Sequence, residues 1–199
     1  MSKYLIGLTG NIATGKSTVG QMLRELGATV IDADALTHEL QRKGTPGYDA
    51  IVTAFGDSIL AESGEIDRHA LGAIVFANPD RLRTLEQIMH PAVAIESQRR
   101  IMAAPESIVV YEAVKLIEAG HAAMCDAIWV VIAQPDVQLQ RLRRDRNLSE
   151  ADARQRIDSQ PSQSEKVKWA SVVIDNSQSL AETRRQVEAA FQACAAPHG

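Results

Sequence analysis

The stretch GNIATGKST, from Gly10 to Thr18, constrains this chain more than any other. It follows YLIGLT (Tyr4 to Thr9), short and apolar enough for a buried parallel strand. After it, Val19, Met22, Leu23 and Leu26 recur at helical spacing until Gly27. Strand, Gly-bounded loop and helix, in that order, are the setting in which G-x-x-x-x-G-K-[ST] cradles phosphate. The loop amides turn inward, and the helix start adds unpaired N–H groups and the positive dipole end. The pattern therefore predicts a nucleoside triphosphate site, with Lys16 reaching the β- and γ-phosphates and the Ser17 hydroxyl ligating Mg²⁺.

A length of 199 residues suits one large α/β domain or a core carrying a sizeable insertion. Apolar residues make up 45% of the chain, enough for a large core, but aromatics only 4%, which argues against a base-stacking nucleic-acid platform. A net charge of −4 gives no overall basic footprint for a polyanion. Cys125 and Cys194 stand far apart, which reads as two reduced thiols. The N-terminus runs straight into the first strand, leaving no room for a signal peptide. The longest apolar run, Ala127 to Ala133, is far short of the ~20 residues that span a membrane. These features predict a soluble, cytoplasmic protein that binds neither nucleic acid nor membrane.

The second strand is read in ATVIDAD, Ala28 to Asp34. In open parallel sheets ligands sit beyond the carboxyl ends of the strands, so Asp32 and Asp34 arrive at the rim of the phosphate loop. Asp34 precedes a helical pattern and reads equally as an N-cap or as a catalytic group, whereas Asp32 reads as a cap or turn residue. A third strand, Ser107 to Ala113, follows about 70 residues later, although a crossover needs only ~12. The excess contains helical patterns near Tyr48–Phe55, His69–Phe76 and Asp80–Ala103, and a hairpin signal around Ser63-Gly64. It is a helical insertion, either holding a second substrate or capping the core without a ligand. Within it, Pro91 should start or kink a helix, with His90 either capping the kink or facing the ligand.

Glu112 closes the third strand, either as an acid that helps to hold Mg²⁺ or as part of a solvated helix face with Lys115 and Glu118. The fourth strand, Asp126 to Pro135, is hydrophobic enough to be covered on both faces. Arg141, Arg143, Arg144 and Arg146 then crowd six positions within Val137–Ile157. They form either a solvated face paired with Glu150 and Asp152 or a mobile lid whose guanidiniums close over the transferred phosphate, with Arg141 and Arg144 on one face. A fifth strand, Trp169 to Asp175, leads to Asn176, on the adenine side of the rim or simply a turn or cap, and to a terminal helix from Leu180. The fold predicted is a P-loop α/β kinase: a five-stranded parallel sheet with helices on both faces, an inserted helical substrate region and a lid. A nucleotide-driven switch would carry D-x-x-G and N-K-x-D, and neither occurs.

IGLTGNIATGKSTV and VIDAD resemble the dephospho-coenzyme A kinases. So do G-x-P-x-Y-x-A-I at Gly44–Ile51, IDRHAL at Ile66–Leu71, VFANP at Val75–Pro79 and MHP at Met89–Pro91. KLIEAG at Lys115–Gly120, QLQRLRRDRNLSEADARQRI and SEKVKWASVVIDN continue the likeness, which spans residues 4–176 in order. The resemblance implies ATP-dependent phosphorylation of the ribose 3′-hydroxyl of dephospho-coenzyme A, with Mg²⁺. It implies Asp34, Lys16 and Arg144 as catalytic groups, and Asn11, Ile12, Ala13, Thr14, Gly15, Lys16, Ser17, Thr18, Arg141 and Asn176 around ATP. It further implies Asp34, Arg68 and His90 toward the coenzyme, with Ser17 and Glu112 toward the metal; Lys115, which the family pattern lacks, is expected beside the coenzyme from its position after Glu112. The core would comprise residues 1–34, 106–140 and 168–199, the insertion 35–105 and the lid 141–167. Asn11 and Ala13 replace glycines of the family pattern. Asn tolerates the left-handed conformation, so Ala13 is the residue expected at negative φ or in a reshaped loop. EAVKLIE, Glu112 to Glu118, keeps the acid but brings in Lys115, and Gln160 is retained.

Lys16→Ala is expected to cripple phosphoryl transfer through lost charge stabilisation. Steady-state ATP turnover checks it, and full activity would take the loop out of the mechanism.

Overall fold

The sheet is built from the short apolar runs of the sequence, which cannot bury both faces without helices on either side. The computed structural model describes residues 3–195, without the side chain of the last. Strands β1 (Tyr4–Gly10), β2 (Thr29–Asp32), β3 (Ile108–Glu112), β4 (Ala127–Ile132) and β5 (Val172–Asp175) form one parallel sheet in the order β2-β3-β1-β4-β5. β1 lies at the centre, parallel to β3 on one side and β4 on the other, with Leu8 beside Glu112 and Gly10 beside Val131. The chain order reverses around β1, which opens the crevice at its carboxyl end that open α/β sheets use for ligands.

The residues divide into two compact units, one of residues 1–31 and 104–199, the other of residues 32–103. In the first, Ile6, Leu8, Trp129 and Val131 from the strands pack with Val19 and Leu23 of α1 (Lys16–Glu25) and with Val187 of the terminal helix. Burial reaches both faces of β4, as the unbroken apolar run requires, while β5, at the sheet edge, alternates.

In the second unit, α2 (Ala33–Leu40), α3 (Pro46–Phe55), α4 (Arg68–Ala77) and α5 (Pro79–Ala103) surround Leu36, Tyr48, Ile51, Leu71 and Val93. Each of the first three is capped by an oxygen at its N-terminus: Asp32 for α2, Thr45 for α3 and Asp67 for α4. The hairpin signal materialises as a single antiparallel bridge, Leu60 to Ile66, turning at Gly64 with φ +78°. Pro91 does not start a helix. α5 runs unbroken for 25 residues through it. The proline leaves the Gln87 carbonyl without a helical donor, and both residues are exposed, so water can take the bond.

Back in the first unit, α6 (Pro135–Arg146) ends where Asn147 turns left-handed at φ +50°. It is followed by α7 (Glu150–Asp158), α8 (Gln163–Val167) and, after β5, α9 (Leu180–Ala195). The segment 141–167 thus begins inside a helix. Several strands are shorter than the apolar runs that announce them. β2 stops at Asp32 because that carboxylate caps a helix, so Asp34 lies in a helical turn instead of a strand. Before β5, Trp169 is 59% exposed in a turn instead of paired in the sheet.

Ile51 is fully buried among the helices of the second unit. Ile51→Ala is expected to cost ~2–5 kcal/mol in a denaturant titration, the usual penalty for an emptied core site. A change within ~0.5 kcal/mol, the size of an ordinary surface substitution, would remove it from the core.

Candidate active site

β1 delivers its last residue, Gly10, against the Val131 carbonyl, where a Cβ would come within 2.6 Å of that oxygen. The loop that follows is open toward solvent and tied from behind. The Ile12 amide donates to Gln160 Oε1 at 2.7 Å, and the Thr14 amide to the Asn11 carbonyl at 3.3 Å. The amides of Thr18 and Val19 both reach the Gly15 carbonyl. Those of Ala13, Gly15, Lys16 and Ser17 have no acceptor within the described residues. Unsatisfied amides clustered along a loop at a helix start make an anion cradle.

The carbonyls of the loop are held on the opposite side. The Arg141 guanidinium donates to the carbonyls of Ala13 and Thr14, both at 3.1 Å, and to that of Asn176 at 2.7 Å. The Asn176 side chain, almost fully buried, donates to the Thr14 carbonyl at 2.8 Å and accepts from the Thr183 hydroxyl at 2.8 Å. A side chain at Gly15, whose φ is +89°, would collide with the Asn176 amide nitrogen. Burial, and to a lesser degree the neighbouring Arg144, hold the Arg141 pKa below the ordinary guanidinium value.

Ala13 adopts φ +57°, against the expectation of a negative angle. The left-handed conformation costs an alanine roughly 1–2 kcal/mol. A hydrogen bond from a charged group contributes ~1.5–3 kcal/mol, so the Arg141 contact to the Ala13 carbonyl offsets the strain. Asn11, the other departure, is buried. Its amide donates to the Pro161 carbonyl at 2.7 Å, and its own oxygen has no partner among the described residues.

Lys16 Nζ lies 2.7 Å from Glu112 Oε1, and Ser17 Oγ is 3.4 Å from the same oxygen. Glu112 is a buried strand residue, so the alternative of a solvated helix face with Lys115 and Glu118 is excluded. The chain after β3 makes turns, which separates the three charges: Lys115 is exposed, while Glu118 pairs with the buried Lys166 at 2.9 Å. Gly20 leaves the space that Glu112 occupies, since a Cβ there would stand 2.6 Å from Oε2. The described residues contain no cluster of three potential metal ligands. One hydroxyl and one carboxylate are what a magnesium ion uses when phosphate oxygens and water complete its shell, so the donor set fits that ion.

A cavity of about 530 Å³ beside the loop is lined by Ala13, Gly15, Thr18, Arg141, Arg144 and Asn176, among others. Arg144 is exposed and bonded to Asp145 at 2.6 Å. Elsewhere in the arginine cluster, Arg143 lies 3.6 Å from Glu150, so part of the cluster is indeed a solvated, paired face. In the second unit, Asp32 takes the capping role by accepting from the amides of Asp34 and Ala35, both at 2.9 Å. This leaves the exposed Asp34 carboxylate uncommitted. Arg68 lines a separate cavity of that unit, and His90 is exposed on α5.

Two supporting residues escaped the sequence reading. Gln138, buried on α6, donates to the Ile12 carbonyl at 2.6 Å and accepts from Gln163 at 3.2 Å. Lys166 donates to the Val114 carbonyl at 2.7 Å. Both lie in polar helical stretches where nothing in the spacing distinguishes a buried side chain from a solvated one.

The sequence model of the family described as dephospho-CoA kinase matches residues 4–182. A dephospho-CoA kinase of Geobacter metallireducens is 50% identical over 191 residues, covering 94% of this chain and 95% of the relative. Among solved structures, TT1252 from Thermus thermophilus superposes with a TM-score of 0.88 at 29% identity, covering 98% of this chain and 99% of the other. A dephospho-CoA kinase from Campylobacter jejuni gives 0.69 at 28% identity, covering 96% and 97%.

Arg141→Lys is expected to weaken ATP binding about tenfold, nearly as much as Arg141→Ala. A lysine keeps the charge but cannot span three carbonyls, and one charged hydrogen bond is worth about that factor. Calorimetric titration with ATP checks it, and a lysine variant with wild-type affinity would show that charge alone suffices.

Proposed function

The chain belongs to the dephospho-CoA kinase family, and on that premise we propose how its residues divide the work. It is a kinase that catalyses the final step of coenzyme A biosynthesis, phosphorylating the ribose 3′-hydroxyl of dephospho-coenzyme A at the expense of ATP. No helix among the described residues is long and apolar enough to cross a membrane.

The observation that carries the assignment of roles is the cradle itself: four unsatisfied amides beside Lys16, Ser17 and a buried carboxylate. ATP supplies the phosphoryl group, and Mg²⁺, held by Ser17 Oγ and Glu112, supplies charge screening when bound. In our reading the free amides of Ala13, Gly15, Lys16 and Ser17 grip phosphate oxygens, while Thr14, whose hydroxyl donates to the Asn11 carbonyl, shapes the middle of the loop and Thr18 its end. Lys16 exchanges Glu112 for the transferring group, so that its positive charge follows the charge that develops in the transition state. Asn176 and Arg141 keep the loop in shape and border the space for the nucleoside, and the exposed Arg144 swings from Asp145 toward the phosphates, closing over them from a lid segment whose two ends stay anchored at Arg141 and at Gln160 to Lys166.

Asp34 takes or orients the proton of the 3′-hydroxyl. Its neighbour Asp32 already serves the helix start, so Asp34 is the carboxylate left for chemistry. Residues 35–105, with Arg68 and His90, receive the coenzyme, and Lys115 contributes from the turn after β3. The setting we infer is the cytoplasm, where thiols stay reduced. Cys125 and Cys194 are both free, and burial, with the charge of Asp126, pushes the Cys125 thiol up to about 11.

Asp34→Asn should lower kcat by ~10²–10⁴, the usual contribution of a positioned acid or base, and leave ATP affinity nearly intact. Coupled ADP release with dephospho-coenzyme A, adenosine and AMP as acceptors reads both claims. Unchanged turnover in the variant would end the base assignment, and a preference for adenosine or AMP would end the acceptor assignment.

A further inference from the structure

A second cavity, about 540 Å³, lies wholly within the unit of residues 32–103. His38 and Arg42 reach it from α2 and the turn behind it, and Arg68 and His69 from the start of α4. Among the described residues these four side chains make no ion pair and no hydrogen bond. Two carboxylates share the wall, yet both are engaged with backbone. Glu65 accepts from the Lys43 amide at 3.0 Å, and Asp67 from the amides of His69 and Ala70 at 2.8 and 3.2 Å. The cavity therefore presents two guanidiniums and two imidazoles whose donors are unspent. Its apolar lining is limited to Ala61 and Ile66, and no phenylalanine, tyrosine or tryptophan faces it.

The position on α2 adds a scale. Asp34 and His38 stand four residues apart, on one helix face. The rise between them is ~6 Å, and Arg42 follows in the turn beyond the helix end. In an adenosine 5′-diphosphate ester, the 3′-oxygen and the 5′-phosphorus are separated by C3′, C4′, C5′ and O5′, a span of the same order, and the second phosphorus lies farther on. We infer that this cavity seats the diphosphate bridge of the acceptor, with His38 and Arg68 nearest the ribose and Arg42 and His69 gripping the outer oxygens. The inference rests on the reading that Asp34 receives the acceptor hydroxyl. A neutral adenine or an uncharged amide chain would leave the guanidiniums without a counter-charge, whereas a diphosphate offers fixed negative oxygens for bidentate pairing.

The test uses the full chain with its phosphate loop saturated by a non-hydrolysable ATP analogue. Dephospho-coenzyme A and inorganic pyrophosphate are titrated calorimetrically into wild type, Arg42→Ala, His69→Ala and Arg42→Lys, each first checked for unaltered thermal unfolding. Arg42→Ala and His69→Ala are expected to raise the Kd of both probes about tenfold or more, the loss that one charge-assisted hydrogen bond entails. Affinity for the ATP analogue stays within about twofold of wild type, and Arg42→Lys recovers part of the loss. In turnover the acceptor KM rises in step, with kcat at saturation little changed. Equal coenzyme affinity in wild type and both alanine variants would overturn the proposal, as would pyrophosphate that binds all four proteins alike. A wild-type chain that fails to phosphorylate dephospho-coenzyme A would instead overturn the acceptor reading on which it rests.

Discussion

Everything at this site depends on the backbone of Ala13 and Thr14 being held from its carbonyl side. A phosphate cradle needs amides that face a ligand and have no protein partner, which is an unstable arrangement for a peptide chain. Arg141 and Asn176 hold the two carbonyls, and the amides of Ala13, Gly15, Lys16 and Ser17 are left without an acceptor among the described residues. The same contacts support the left-handed Ala13, whose side chain adds strain that a glycine would avoid. Because the anchors come from α6 and from the end of β5, the loop is a product of the whole sheet. A peptide of the same nine residues would not keep this shape.

The pairing of Lys16 with Glu112 adds a second constraint. Both side chains are largely withdrawn from water, 11% and 2% exposed, at 2.7 Å. Such a pair gains little net stability, because desolvation consumes most of the attraction, but removing one partner leaves a buried charge uncompensated. The two groups are thus held in register without being locked together. That would suit the exchange of a carboxylate for a phosphate proposed above for Lys16. Gly20 takes part through its missing side chain, which leaves Glu112 its room.

The insertion solves a different problem. Its helices bury their own core of Leu36, Tyr48, Ile51 and Leu71, so basic residues on the surface need not support the fold. Arg68 and Arg42 stay free of ion pairs while nearby acids such as Asp67 are spent on helix capping. The unit thus keeps the packing that stabilises it apart from its unpaired basic side chains.

Much of the architecture was legible in the residues. The five apolar runs, the surplus between β2 and β3, and the phosphate-loop spacing specify the P-loop sheet and its insertion, because strand burial and helix periodicity are local properties of sequence. Lys16 and Ser17 could be named for the same reason. What required tertiary structure was every question of partnership. Position left Asp34 equally a cap or a catalytic group, and only the helix start shows that Asp32 is the one spent on capping. Glu112 read equally as a solvated charge until its burial beside Lys16 was visible. Ala13 took a positive φ that its own preference opposes, since contacts from residues more than a hundred positions away outweigh a local cost of roughly 1–2 kcal/mol. Periodicity reports which face of an element is buried. Which polar group meets which across the fold is set by long-range packing alone.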